Sequence, residues 1–191
     1  MATMSQPATF LTNHFLIAMP ALQDPNFSRG VTFVCQHSGE GAMGLLVNRV
    51  SELKLGDVLT QMRIGTTIRE VAGAPVYIGG PVQPERGFVL HEPCGDWDSS
   101  FSISDQLCVT TSRDILAAMA EGKGPKRSLV ALGYAGWSEG QLELEMRDNA
   151  WLAANASTEL IFTTPIEKRW EGAARLVGFD PAMLSDHGGH A

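Results

Sequence analysis

No run of apolar residues in this chain approaches the roughly 18 needed to carry a helix across a bilayer. The most suggestive stretch, FLIAMPAL from Phe15 to Leu22, is interrupted by Pro20. The first 23 residues contain no Lys, Arg, Asp or Glu, so the basic flank of a secretory leader is missing, and no A-x-A site follows. Neither a membrane segment nor export is expected, which places the protein in the cytoplasm. Positive charge is also in deficit. With 14 basic and 21 acidic residues the formal net charge is −7, which opposes attraction to phosphate backbones and anionic lipid. The one compact basic cluster, Lys123, Lys126 and Arg127, follows a predicted helix and suits its carboxyl-end dipole. Cysteine is scarce. Cys35, Cys94 and Cys108 are odd in number and lack C-x-x-C spacing, which speaks against a zinc ribbon, a thioredoxin-type pair or a disulfide framework. Three reduced thiols are expected. There is no internal repeat.

What remains is ordinary globular material: 191 residues, 44% apolar and 18% charged, enough for one domain around one core. The central stretch is LVALGYAGWSEGQLELEMRDNAW, from Leu129 to Trp151. It reads as a buried strand, a glycine turn at Gly133 and Gly136 around Tyr134, and a helix opened by Ser138. Upstream, Phe15–Met19 reads as a strand, and Val31–His37 and Ala42–Val50 as a hairpin joined through Ser38 to Gly41. Leu55, Val58, Leu59 and Met62 share one face of a short helix over Leu53–Met62. Strands are also predicted at Val76–Ile78, Gly87–His91, Phe101–Ile103, Leu107–Val109 and Glu159–Thr163. A helix follows Thr111 and Ser112 and ends at Gly122. A last helix starts at Thr164 and Pro165, buries Trp170, Ala173 and Ala174, and stops at Gly178. Strands grouped early, with helices interspersed irregularly, favour an α+β fold. Residues 1–12 read as a loose leader, 13–184 as one domain and 185–191 as a flexible tail.

Several constellations bear on chemistry. Gly136, Trp137, Ser138, Glu139 and Gly140 satisfy G-x-S-x-G, with Asp180 and His187 following in the chain order of a hydrolase triad. Ser138 and Gln141 equally form an S-x-x-Q capping box, and His187 lies in a glycine-rich tail ill suited to a fixed general base. His187 and His190 make only an H-x-x-H pair, so no metal is expected, and no cofactor motif is present. Gly79, Gly80 and Pro81 read as a tight turn between strands. Trp137 at a strand exit either lines a pocket or packs over bare backbone. Glu143 and Glu145 cannot share a helix face, so at most one points into any site.

In order along the chain, FLIAMP at 15–20, GAMGLLVNR at 41–49, PVYIGGPV at 75–82, TSRDIL at 111–116, LVALGYAGWSEGQLE at 129–143, NAWL at 149–152 and the P-x-x-x-RW of Pro165 to Trp170 resemble the YqgE/AlgH family of bacterial proteins. The resemblance implies a single α+β domain whose mostly antiparallel sheet is bifurcated, curls towards an open barrel and is flanked by helices. It brings no established catalytic residues. One branch is named as a regulator of alginate synthesis and carries the label of transcriptional regulator, yet this chain has no helix-turn-helix signature and no basic face for direct DNA reading. The function expected is that of a regulatory protein that binds an unknown small molecule or a protein partner. The expected site lies near Arg49, Gly79, Gly80, Arg86, Trp137 and Gln141, polar or glycine positions at strand ends.

Overall fold

The computed structural model of the chain describes residues 10–19, 24–25 and 27–178. Asp180, His187, His190, the tail and most of the leader therefore lie outside the described residues. Runs rich in β-branched and aromatic residues form ten strands: β1 (His14–Ala18), β2 (Val31–Ser38), β3 (Gly41–Leu46), β4 (Val50–Lys54), β5 (Pro75–Ile78), β6 (Val82–Glu92), β7 (Ser100–Ser102), β8 (Cys108–Thr110), β9 (Arg127–Trp137) and β10 (Trp151–Asn155). The helices are α1 (Leu55–Gln61), α2 (Arg69–Ala72), α3 (Arg113–Ala120), α4 (Gln141–Arg147), α5 (Thr158–Phe162) and α6 (Arg169–Leu176), the last preceded by a 3-10 turn at Ile166–Lys168.

The sheet runs β10-β1-β2-β3-β9-β6-β8-β7 and is antiparallel throughout that path. Its bifurcation is at β9. β5 lies parallel to the first half of β9, with Val76 opposite Val130 and Ile78 opposite Leu132, whereas β3 lies antiparallel to the second half, with Gly44 opposite Ala135 and Ala42 opposite Trp137. The Leu46 N–H donates to the Gly79 carbonyl at 2.8 Å and joins the two branches. Between the halves β9 turns at Gly133, whose φ of +76° suits glycine, and the β6 register shifts between Val82 and Gly87. Gly79 and Gly80 are pressed against this bend. A Cβ at Gly80 would run into the Tyr134 carbonyl and the Ala135 nitrogen, and one at Gly79 into the Gly133 carbonyl.

Side chains alternate across the sheet and serve three clusters. One face carries Phe15, Phe33, Leu45, Phe88 and Leu90, closed by Leu160 of α5 and by Trp170 and Ala173 of α6. On the other face, Val76, Val89 and Val130 meet Leu55 and Leu59 of α1 and Ile115 of α3. Leu16, Val34, Ala135, Trp137 and Trp151 meet Leu142 of α4. The result is a mixed α+β domain with the antiparallel sheet curled into a half-barrel.

Three local expectations need correction. The strand expected at Glu159–Thr163 is instead helical through Phe162, because the Ser157 hydroxyl accepts from the Leu160 N–H at 3.3 Å and caps α5. The strand β10, pairing Trp151 with Ala18 and Asn155 with His14, was not anticipated. Helix α4 begins at Gln141 rather than Ser138, since Gly140 takes the cap position with φ of +75°.

Candidate functional site

Past Gly133, β9 sends Tyr134 and Gly136 to one side and the buried Ala135 and Trp137 to the other. On the Tyr134 side lies a groove of about 950 Å³. Its floor is aromatic: the Tyr134 and Phe88 rings meet edge to face at 5.7 Å, with Phe101 beside them. Gln36, Ser38 and Glu40, from the end of the β2–β3 hairpin, make one wall, and residues 98–101 make the other. Arg86 reaches over the floor with its guanidinium 5.3 Å from the Phe88 centroid. Its one hydrogen bond is a long donation to Gln83 Oε1 at 3.4 Å, and it joins none of the three ion pairs found among the described residues. The groove thus offers one exposed cation above a stacked aromatic surface.

The wall formed by residues 98–101 is fastened from behind. Buried His91 donates from Nδ1 to the Pro93 carbonyl at 3.0 Å and accepts at Nε2 from the Thr110 hydroxyl at 2.6 Å, which in turn accepts from the Ser100 hydroxyl at 2.6 Å. Burial holds the His91 pKa below the usual imidazole value, so the ring is neutral there at pH 7. The Asp98 N–H donates to Asp114 Oδ2 at 2.9 Å and the Ser99 N–H to the Ser112 hydroxyl at 3.0 Å. Cys94 and Cys108 are joined in a disulfide, their Cα atoms 5.2 Å apart. That overturns the expectation of three reduced thiols, and only Cys35 is free. Cysteine spacing could not anticipate the pairing, because register sets it: β8 runs against β6 with Cys108 opposite His91, which brings Cys108 beside the turn after β6.

Of the expected site residues, Arg86 and Trp137 border the groove. The Trp137 indole turns away from it and donates to Glu145 Oε1 at 3.4 Å. Gly79 and Gly80 are buried beneath the bend of β9 as packing positions. Arg49 lies elsewhere, donating to the Pro25 carbonyl at 2.9 Å and to the Ser28 carbonyl. Gln141 is exposed at the start of α4, where its Oε1 accepts from the Ser138 N–H at 3.0 Å and from the Ser138 hydroxyl at 3.2 Å. Ser138 therefore spends its proton on an amide oxygen. Both candidate partners for a triad, Asp180 and His187, lie outside the described residues. β9 has a single parallel neighbour, β5, in place of the parallel sheet that presents a nucleophile elbow.

The sequence reading missed the face of α4. Glu143 and Glu145 both find partners around the buried Leu142, but different ones, so the two carboxylates do not point into one site. Glu143 Oε1 accepts from His37 Nε2 at 2.6 Å, while the Leu11 N–H donates to His37 Nδ1 at 2.9 Å, which puts the ring proton on Nε2. The Glu143 pKa is lowered, first by its own backbone N–H and then, against desolvation, by His37. Glu145 Oε1 accepts from both Trp137 and Trp151 Nε1, the latter at 3.2 Å, while Oε2 is buried without a partner among the described residues. Among the described residues no three His, Cys, Asp or Glu side chains converge as a metal would require. A second cavity, about 600 Å³ and more apolar, lies between α1, α3 and β6. No helix among the described residues is long and apolar enough to cross a membrane.

This architecture has close counterparts. Residues 15–182 match a family model described as AlgH-like. A UPF0301 protein of Methylococcus capsulatus is 54% identical over 187 residues, covering 98% of this chain and 100% of its own. One of Nitrosococcus oceani is 50% identical, covering 95% and 97%. The solution structure of the AlgH protein from Pseudomonas aeruginosa superposes with a TM-score of 0.80 at 44% identity, covering all of both chains. A crystal structure of a Corynebacterium diphtheriae protein, 20% identical with a TM-score of 0.69 over 90% of this chain and 89% of its own, shares the fold. The motif series, the bifurcated half-barrel and these full-length likenesses agree: the chain belongs to the AlgH-like (UPF0301) family.

Proposed function

We propose that this protein is a regulatory ligand-binding protein that takes a small organic anion bearing a flat ring into the groove over Tyr134 and Phe88. The observation that carries the reading is Arg86, a guanidinium with no carboxylate partner among the described residues, held over an aromatic floor at the mouth of a cavity large enough for such a molecule. A ring stacks on Tyr134 while the fork of Arg86 grips the acidic group in two parallel hydrogen bonds. Gln36, Ser38 and Ser99 supply neutral polar contacts, and Glu40 and Asp98 reject more highly charged anions. Regulation then passes through the ligand or a protein partner in the cytoplasm, and not through direct contact with DNA, which the net charge of −7 opposes.

Ligand-observed NMR against aromatic carboxylates and nucleoside monophosphates tests this. At least one class binds, and Arg86→Ala weakens it by roughly tenfold, about 1.4 kcal/mol, while Arg86→Lys recovers only part because the fork is lost. Binding that is identical in Arg86→Ala would overturn the assignment. In parallel, a fluorophosphonate probe is expected to leave Ser138 unlabelled; labelling that Ser138→Ala abolishes would favour a hydrolase instead.

A further inference from the structure

We propose that the Cys94–Cys108 bridge is a thiol–disulfide exchange site, attacked at Cys94 by a small thiol or dithiol, and that its opening loosens residues 94–97, the arm that leads into the groove wall. The two sulfurs differ in access. Cys108 sits within β8 at 4% exposure, opposite the fully buried His91 of β6, whereas Cys94 lies half-buried in the connection leaving β6. An incoming thiolate therefore meets Cys94, with Cys108 as the leaving group. The bond between the two cysteine sulfurs breaks as the bond from the thiol to Cys94 forms. Cys108 departs with the electron pair and takes a proton from water. With a dithiol, the second sulfur attacks the first, Cys94 leaves as a thiolate, and the reductant ends as its own disulfide while the protein gains two electrons and two protons. Cys35 does not compete: it is 1% exposed in the core, and burial pushes its thiol up. In the cytoplasm, where the function proposed above would be exercised, a persistent structural bridge would be unusual and an exchanging one is the usual kind.

The bridge closes the loop between positions 94 and 108, and that loop contains Asp98, Ser99, Ser100 and Phe101 of the groove wall. The later part of the loop has other anchors. Ser100 pairs with Thr110 and Ser102 with Cys108, and Asp98 and Ser99 donate to Asp114 and to the cap residue Ser112 at the start of α3. Residues 94–97 have no ladder partner. Gly95 there holds φ of +70°, and the Trp97 indole N–H is buried without an acceptor. With the bridge open, this arm is held only by the chain on either side and by the packing of Trp97 against the cluster of Val89 and Ile115, and the Trp97 indole can turn its N–H to water. The control of ligand entry rests on the groove reading above; the exchange chemistry does not.

The test uses the full chain in native buffer across a series of reduced to oxidised glutathione ratios, quenched in acid, alkylated and mapped by peptide mass. Before reduction Cys94 and Cys108 are unmodified. Reduction without denaturant opens both to alkylation and leaves Cys35 untouched. In Cys108→Ser, Cys94 takes up one glutathione, and in Cys94→Ser, Cys108 takes up roughly tenfold less. Alkylation of both cysteines in the unreduced protein, reduction only after unfolding in urea, or equal uptake at the two positions would overturn the proposal. Hydrogen exchange on the native chain reads the structural consequence and needs no variant. On reduction, exchange over residues 95–97 rises by roughly tenfold or more while residues 127–137 of β9 hold steady. Unchanged exchange over 95–97 would show that the bridge does not secure this arm. If these results stand and the Arg86 experiment fails, only the ligand reading falls.

Discussion

Glu145 places one carboxylate oxygen between the indole N–H groups of Trp137 and Trp151 and buries the other with no donor. A buried anionic oxygen without a partner costs more than the two long indole bonds return. The carboxamide of glutamine keeps the doubly accepting oxygen and removes the charge. Glu145→Gln is thus expected to lie within about 1 kcal/mol of the parent or above it, whereas Glu145→Leu strands both indole donors and costs about 2 kcal/mol. Urea denaturation of both variants checks the contrast. If leucine proves as stable as glutamine, the indole bonds contribute nothing. Near-ultraviolet circular dichroism should change only in Glu145→Leu, because the Trp137, Trp151 and Phe27 rings pack edge to face or tilted around this acceptor.

Helix α6 is attached to the sheet less by its length than by one cation at its start. Arg169, 4% exposed, donates from Nη1 to the Val47 carbonyl at 2.7 Å and to the Tyr77 hydroxyl at 3.0 Å, and from Nε to the Thr164 carbonyl at 2.8 Å. It ties the loop between β3 and β4 and the core face of β5 to α6 without any carboxylate. Substitution by methionine keeps much of the volume but leaves these acceptors without a donor, so Arg169→Met is expected to cost about 3 kcal/mol. Lysine does not restore it, having a point charge where three diverging donations are needed. Urea midpoints measure the loss, and hydrogen exchange should localise it to α6 and to residues 46–48. A cost under about 1 kcal/mol would mean that Trp170, Ala173 and Ala174 hold the helix unaided.

At the scale of the whole molecule, three groups among the described residues shape the response to acid. His91, Asp114 and Glu143 all have folded pKa values below their ordinary ones of 6.5, 3.8 and 4.5. For Asp114, desolvation raises the value but is outweighed by donation from the Ser112 hydroxyl and from backbone N–H groups. A depressed folded pKa means that the unfolded chain binds the proton first, so each group contributes stability present above its unfolded value and lost as pH falls towards the folded one. Urea midpoints should therefore begin to fall below pH 6.5 through His91, and fall again below pH 4.5 through the two carboxylates. His91→Gln should flatten the first segment and leave the second; an unaltered first segment would place that proton elsewhere. How far such features can be read along the chain depends on their range. The face of α1, with Leu55 and Leu59 buried, and that of α6, with Trp170, Ala173 and Ala174 buried, follow from helical spacing, because the side chains involved are three or four positions apart. The β2–β3 hairpin follows from its glycine-bearing turn in the same way. The polar and glycine positions at strand ends pointed to Arg86 and Trp137, but nothing local joins Arg86 to Tyr134 or Ser99. That juxtaposition exists because β9 bends at Gly133 and accepts β6 on one half and β3 on the other. His37 and Glu143 are 106 residues apart, and the Cys94–Cys108 bridge depends on which residue of β8 faces which residue of β6. Periodicity, capping and charge are properties of neighbours and are written in the chain; register, the groove and its disulfide are relations between distant strands, which form only when the sheet closes and its shared core selects one pairing over the others.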